Sequence, residues 1–134
     1  MHIKQFKVSG SMVDDHMVLR EDAYYEYLNS TLLSLLFHKG YTHKRLETIG
    51  ADLTQHNRSI DTYKPLWFTN EFMSYLEINP SLDYENFVQL KCRFFTCDNE
   101  LCAVVTCMMQ SNPEINMDYL MLHQSVRPVS YITV

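Results

Sequence analysis

Residues 21–39, EDAYYEYLNSTLLSLLFHK, decide how the rest of the chain is read. Tyr24, Tyr27, Leu28, Thr31, Leu32, Leu35 and Leu36 recur at steps of three and four, the spacing of one helical face. Ala23, Tyr25, Leu33 and Phe37 widen that stripe, so the helix they form must be covered over much of its circumference. Glu21 and Asp22 suit the positive end of the helix dipole, His38 and Lys39 the negative end, and Gly40 is a natural stop. One long, buried helix follows, and the remaining elements have to bury it.

Upstream, HIKQFKVSGSMV (2–13) places Ile3, Phe6 and Val8 in a short, roughly alternating run, read as a first strand. Downstream, YTHKRLETIG (41–50) reads as a connector with one helical turn, and residues 51–63 look extended although polar for a strand. Pro65 in KPLWFTN marks a break, because proline cannot donate to a sheet ladder. EFMSYLEI (71–78) sets Phe72, Ser74, Leu76 and Ile78 on one face, and NPSLDY (79–84) is turn-like. Residues 86–97 and 101–110 are two strands of a hairpin turning through DNE. A short helix over 114–124 and an extended piece in RPVSYITV (127–134) close the reading. The order is strand, long helix, then about four antiparallel strands. That is an α+β layout, with a curved antiparallel sheet wrapped around one central helix. The sheet's outer face and an edge strand still need cover, which favours dimerisation.

A length of 134 residues predicts a single domain, 1–134, and 46% hydrophobic against 20% charged residues predicts a globular one. A net charge of -5 without a basic stripe argues against a nucleic-acid partner, because neutralising phosphates takes concentrated Lys and Arg. No apolar run approaches the roughly 18 residues of a membrane span, and the N-terminus lacks the apolar core of a signal peptide. A cytoplasmic protein without a membrane partner is expected. Cys92, Cys97, Cys102 and Cys107 lie at a spacing of five, without the close pairs of a zinc site. A hairpin centred between Asn99 and Glu100 would set Cys97 opposite Cys102 and Cys92 opposite Cys107, a pairing that would allow cross-strand disulfides. Without an export signal, reduced thiols packed as small hydrophobes are expected instead. There is no Gly-rich phosphate loop, no G-x-S-x-G elbow and no H-E-x-x-H helix, so neither an activated serine nor a metal is supported.

Just before the helix, SMVDDHMVLRED (11–22) carries two adjacent acids and a histidine, Asp14, Asp15 and His16. Aspartates in that position are commonly caps or loop punctuation. Here the sequence resembles the hotdog-fold thioesterases of the 4-hydroxybenzoyl-CoA thioesterase type. Those proteins carry an aspartate at the end of the first strand, usually a glycine three residues later, and a tyrosine ten residues after the aspartate in the central helix. Asp14 and Tyr24 are ten apart, and Tyr27 falls where a further aromatic is common. TYKPLWFTN (62–70) is similar to a second family run: Tyr63, Pro65, Leu66 and Phe68 fit, with Asn70 where an aspartate is common. The hairpin FFTCDNELCAVVTCMM and the ending RPVSYI are similar to the family's last strands. The likeness covers residues 3–110 and 127–132. Two departures stand out: Met17 holds the glycine position, and Arg20 and Glu21 replace a polar pair that is commonly asparagine or histidine.

The resemblance implies a hotdog fold and hydrolysis of a thioester of coenzyme A or of an acyl carrier protein, by a homodimer or tetramer without metal or organic cofactor. Such hydrolysis needs a base or nucleophile and stabilisation of charge on the carbonyl oxygen. Asp14 is the expected base or nucleophile. The backbone N–H groups of Met17, Val18 and Leu19 are the expected oxyanion donors, because a helix start leaves such groups unpaired. Tyr24 and Tyr27 are expected at the pocket wall. His56, Asn57 and Arg58 on the polar strand are expected to line the pocket or bind phosphates, with His43, Lys44 and Arg45 as a second basic cluster. Trp67 and Phe68 could pack at a subunit interface. Two alternatives stay open: a non-catalytic hotdog protein binding an acyl or aromatic ligand or a protein partner, and a dehydratase using His16.

Overall fold

A computed structural model describes residues 2–81 and 83–115. The expected helix over 114–124 and the extended piece over 127–134 lie outside these residues, apart from a turn in which the Ile115 N–H donates to the Asn112 carbonyl at 3.0 Å. In chain order the elements are β1 (His2–Lys7), a 3-10 turn (Gly10–Met12), α1 (Glu21–His38), α2 (His43–Thr48), β2 (Gln55–Thr62), β3 (Glu71–Pro80), β4 (Phe87–Thr96) and β5 (Leu101–Gln110). The five strands form one antiparallel sheet in the order β1-β3-β4-β5-β2. The sheet curves around α1, which packs against β3, β1 and β5. This is the α+β layout read from the sequence, in the hotdog arrangement that the resemblance implied.

α1 matches its expected span. Its buried residues are Ala23, Tyr24, Tyr27, Leu28, Thr31, Leu32, Leu35 and Leu36. The covered face is narrower than expected, however. Tyr25 and Leu33 are only partly buried, and Phe37 is 40% exposed, set edge-on to His43 with ring centroids 4.6 Å apart. One sheet covers one side of a helix, and the other side stays open. Gly40, at φ 90°, ends the helix: its N–H donates to the Phe37 carbonyl at 3.0 Å and the Tyr41 N–H to the Leu36 carbonyl at 2.9 Å, the paired bonds of a Schellman cap.

β3 supplies the floor of the core. Phe72, Ser74, Leu76 and Ile78 share its inner face and are fully buried. Ser74 is tolerated there because its hydroxyl lies 2.6 Å from that of Thr31, which donates to the Tyr27 carbonyl at 2.8 Å. β1 ends at Lys7, earlier than expected, and the chain then turns through Gly10–Met12. Ile3 does not share the face of Phe6 and Val8. It clusters with Met73 and Tyr75 on the outer side of the sheet, with Phe95 against them.

The cysteine register also differs from expectation. Cys92 pairs with Val105 and Cys107 with Leu90. The cause is the turn: Asn99 sits at φ 65°, its N–H donates to the Thr96 carbonyl, and a bulge falls between Phe94 and Phe95. All four thiols are free; Cys92, Cys102 and Cys107 are buried. Burial pushes the Cys107 thiol up to about 11. Among the described residues, no helix is long and apolar enough to cross a membrane.

Candidate active site

The segment between the 3-10 turn and α1 closes on itself through Asp14. Val13 bridges Leu19, the Asp14 N–H donates to the Val18 carbonyl at 2.9 Å, and the Met17 N–H donates to the Asp14 carbonyl at 3.0 Å. Asp14 Oδ1 accepts from the His16 N–H at 2.8 Å and the Val18 N–H at 3.1 Å. The loop role expected of aspartates is therefore real at this residue. It also has an electrostatic consequence. The Val18 N–H above all holds the exposed Asp14 carboxyl below its ordinary value of 3.8; desolvation, second in size, opposes it, and the His16 N–H adds to the lowering. Asp15 and His16 are both exposed.

The expected oxyanion donors need correction. The Met17 N–H is taken by the Asp14 carbonyl, that of Val18 by Asp14 Oδ1, and that of Leu19 by the Leu66 carbonyl at 2.8 Å. The loop satisfies its own backbone and ties itself to the segment before β3. Further along, Ala23 donates to the Arg20 carbonyl at 3.1 Å. Arg20, in the N-cap position, offers no side-chain acceptor. The N–H groups of Glu21 and Asp22 are those a helix start leaves without intrahelical partners. A signal for this was present in the sequence: arginine stands where Ser, Thr, Asp or Asn normally caps.

Asp14, Val18, Leu19, Arg20, Glu21 and Tyr24 meet Thr62, Tyr63, Lys64 and Pro65 around a pocket of about 370 Å³. The Tyr24 ring is buried and edge-on to Phe94, with centroids 5.1 Å apart, and burial raises its phenol well above the ordinary range. Lys64 forms an ion pair with Glu100, which holds its ammonium above the ordinary value. Arg20 Nε pairs with Asp22 at 3.1 Å, and its guanidinium donates to the Ser11 carbonyl at 2.8 Å. Sequence reasoning missed Arg20, Thr62 and Lys64 as pocket residues, because only the fold brings the end of β2 back beside the helix start.

The other expected substrate residues lie elsewhere. Tyr27 packs between Phe6 and Phe72 in the core, at centroid distances of 4.8 and 4.9 Å. β2 carries a bulge between His56 and Ser59, with Asn57 at φ 52°. His56 lies against Phe87, and the Asn57 amide donates to Met108 Sδ at 3.4 Å. The bulge sends Arg58 over the Tyr25 ring at 4.8 Å. There it lines a second, larger groove of about 650 Å³ with Asp22, Tyr25, Glu26, Asn29 and Gln55. Arg45 stacks on Tyr41 at 4.5 Å, and neither His43, Lys44 nor Arg45 lines the Asp14 pocket.

No family model and no curated protein matches the chain. Solved structures do. A 1,4-dihydroxy-2-naphthoyl-CoA thioesterase from Synechocystis aligns at TM-score 0.77 and 11% identity, over 94% of this chain and 98% of that one. A gentisyl-coenzyme A thioesterase aligns at TM-score 0.77 and 12% identity, over 90% and 98%. A hypothetical protein from Staphylococcus aureus, solved in complex with CoA, aligns at TM-score 0.72 and 15% identity, over 98% and 84%. At such identities the likeness is one of fold, and it is the hotdog fold that these chains share.

Proposed function

We propose, from the hotdog fold and the carboxylate beside its helix start, that the protein hydrolyses acyl thioesters with Asp14 as general base or nucleophile. The observation that carries this is the geometry of Asp14. An ionised carboxylate has Oδ1 pinned by two backbone N–H groups, at a pocket that reaches the uncapped N-terminus of the buried helix. Pinning one oxygen orients the other toward a water or a carbonyl carbon. As base, Asp14 takes a proton from water as its oxygen adds to the carbonyl. The tetrahedral intermediate then collapses, the C–S bond breaks, and the thiolate leaves to be protonated. The first-turn N–H groups of Glu21 and Asp22, in place of those of Met17, Val18 and Leu19, face the developing oxyanion.

Two of the structural neighbours are CoA thioesterases and a third is bound to CoA, which supports a coenzyme A ester over a carrier-protein ester. Arg58 is the cation proposed to meet the nucleotide phosphates. His56 and Asn57 set the bulge that aims it. The active unit is proposed to be a homodimer built along the exposed edge of β2.

The test is thiol release from a panel of acyl-CoA esters by wild type and Asp14→Asn. Asparagine keeps an acceptor oxygen for the two N–H bonds but cannot take a proton. The loop should therefore survive, while kcat falls about 100-fold or more. Equal turnover by the variant would remove Asp14 from the chemistry. The reading as a non-catalytic binder draws on one observation, the three backbone N–H groups already engaged, and tight binding of an acyl-CoA without turnover by wild type would establish it.

A further inference from the structure

We infer that Asn70 is a positioning residue for the candidate catalytic carboxylate: its side-chain carbonyl holds the strand pair from which Val18 reaches Asp14. This rests on the thioester-hydrolase reading above. Residues 17–19 and 66–68 form a short antiparallel pair. The Leu19 N–H donates to the Leu66 carbonyl at 2.8 Å, the Phe68 N–H donates to the Met17 carbonyl at 2.8 Å, and Val18 and Trp67 lie opposite each other between those bonds. Residues opposed in that way turn their own N–H and C=O groups away from each other. The two outward edges are then taken up alike. On one, Asp14 Oδ1 accepts from the Val18 N–H at 3.1 Å, and the Asp14 N–H donates to the Val18 carbonyl at 2.9 Å. On the other, Asn70 Oδ1 accepts from the Trp67 N–H at 2.8 Å, and the Asn70 N–H donates to the Trp67 carbonyl at 3.0 Å. Asn70 is to Trp67 what Asp14 is to Val18.

Asn70 is also where both routes to the carboxylate meet. The Val8 N–H donates to the Asn70 carbonyl at 2.9 Å and the Thr69 N–H to the Val8 carbonyl at 3.2 Å, so the turn over 67–70 is fastened to the chain just past β1. From Val8 the chain runs through the 3-10 turn to Asp14, and from Trp67 the pair crosses to Val18. Within the turn, Thr69 sits at φ 72°, a conformation that β-branched residues rarely adopt. Such strain persists where surrounding bonds over-determine the backbone. Asparagine supplies one of those bonds from its side chain, as it does in tight turns. Without that acceptor, Thr69 relaxes, Trp67 moves, and Val18 moves against Asp14 Oδ1.

The consequence is electrostatic as well as geometric, because the Val18 N–H is the main group favouring the charged form of Asp14. The other charges around that carboxyl are Asp15 and His16 in its own loop, Arg20 and Glu21 at the helix start, and Lys64 across the pocket, itself paired with Glu100. Asn70 is uncharged and bonds Trp67 and Val8. Replacing it with another uncharged residue therefore changes the Val18 bond and leaves those charges as they are.

Asn70→Leu keeps the side-chain volume and removes the acceptor, whereas Asn70→Asp keeps the acceptor. Both variants and wild type are assayed on hexanoyl-CoA and benzoyl-CoA as a function of pH, and the Asp14 carboxyl carbon is titrated by NMR in each. Asn70→Leu should lose about 10-fold in kcat with KM within about 2-fold, the mark of a misplaced group rather than a lost contact with substrate. The acid limb of kcat/KM and the Asp14 titration should both move up toward the ordinary 3.8. Asn70→Asp should restore the rate and most of the titration. A folded Asn70→Leu protein with the Asp14 titration unmoved, or no recovery in Asn70→Asp, would overturn the inference. If Asn70→Leu does not fold, wild type decides: the Val18 and Trp67 amide protons should shift with a single midpoint, that of Asp14, and a Trp67 amide indifferent to it would overturn the inference too. Turnover that Asn70→Leu leaves unchanged would refute this inference and leave the hydrolase reading intact. No turnover of either ester by wild type, with the titration shift in place, would do the reverse.

Discussion

At φ 65°, Met17 holds a backbone conformation that glycine adopts freely and other L-residues adopt at a cost of about 1–2 kcal/mol. The resemblance had marked this position as a glycine, and the backbone has kept the glycine geometry without the glycine. Met17→Gly should raise stability in urea denaturation by about 0.5–1 kcal/mol, the strain relieved less the extra freedom glycine has when unfolded. Asp14 is legible in the same partial way. Its spacing to Tyr24 singled it out from Asp15, but only the structure shows that its carboxylate also ties the loop. The bonds from Val18 and His16 favour its charged form, so the native carboxyl stays ionised as pH falls through the ordinary Asp range. For an Asp14 base, kcat/KM should be flat from pH 7 to pH 5, with its acid limb below the ordinary value of 3.8. An acid limb near pH 6 would point to a histidine instead.

The elements were legible wherever one surface is uniformly buried. The three- and four-residue spacing in α1 reports its covered face and the alternation in β3 its inner face, and both elements appear as expected, although Met73 and Tyr75 on the outer side of β3 are buried as well. What failed were features set by one residue more or less: the end of β1, the hairpin register and the bulge in β2. Each shift of that kind costs little locally yet changes which side chain faces which. Where α1 meets β3, the buried Thr31–Ser74 hydroxyl pair gives a local test. Thr31→Val should cost about 0.5–1.5 kcal/mol in urea denaturation, because it removes the bond between the two hydroxyls and leaves that of Ser74 only its longer bond to the Lys4 carbonyl at 3.3 Å. Where α1 meets β1, His2 Nε2 lies 3.3 Å from Ser34 Oγ. Burial, then the nearby His38, lowers His2 from 6.5 to about 4. Between those values the unfolded chain binds a proton that the fold rejects. Stability is thus complete above pH 6.5 and falls as pH drops toward 4. Thermal melts at pH 7 and pH 5 should show a loss in wild type that His2→Gln reduces.

At the scale of the molecule, β2 remains the element that the single chain explains least. Its pattern is polar, and most of its residues are exposed, yet it is the sheet's edge and the wall of the larger groove. An exposed edge strand is a template for pairing, and a twofold copy of the same edge is the simplest partner. Strand geometry identifies which groups would pair. The Tyr63 N–H donates to the Cys102 carbonyl at 2.8 Å, so Asp61 and Ser59, two and four residues before it, also turn their N–H groups toward β5. Ile60 and Thr62 turn theirs outward. Thr62→Pro therefore removes an outward donor without cutting the ladder to β5. In sedimentation, wild type should run as a dimer and Thr62→Pro as a monomer with the same circular dichroism. Wild-type specific activity should also fall on dilution through the dimer's dissociation range, because Gln55 and Arg58 of that strand line the larger groove. A wild-type protein that stays monomeric at high concentration, with constant specific activity, would leave β2 as a solvated edge and Arg58 without a partner-built site.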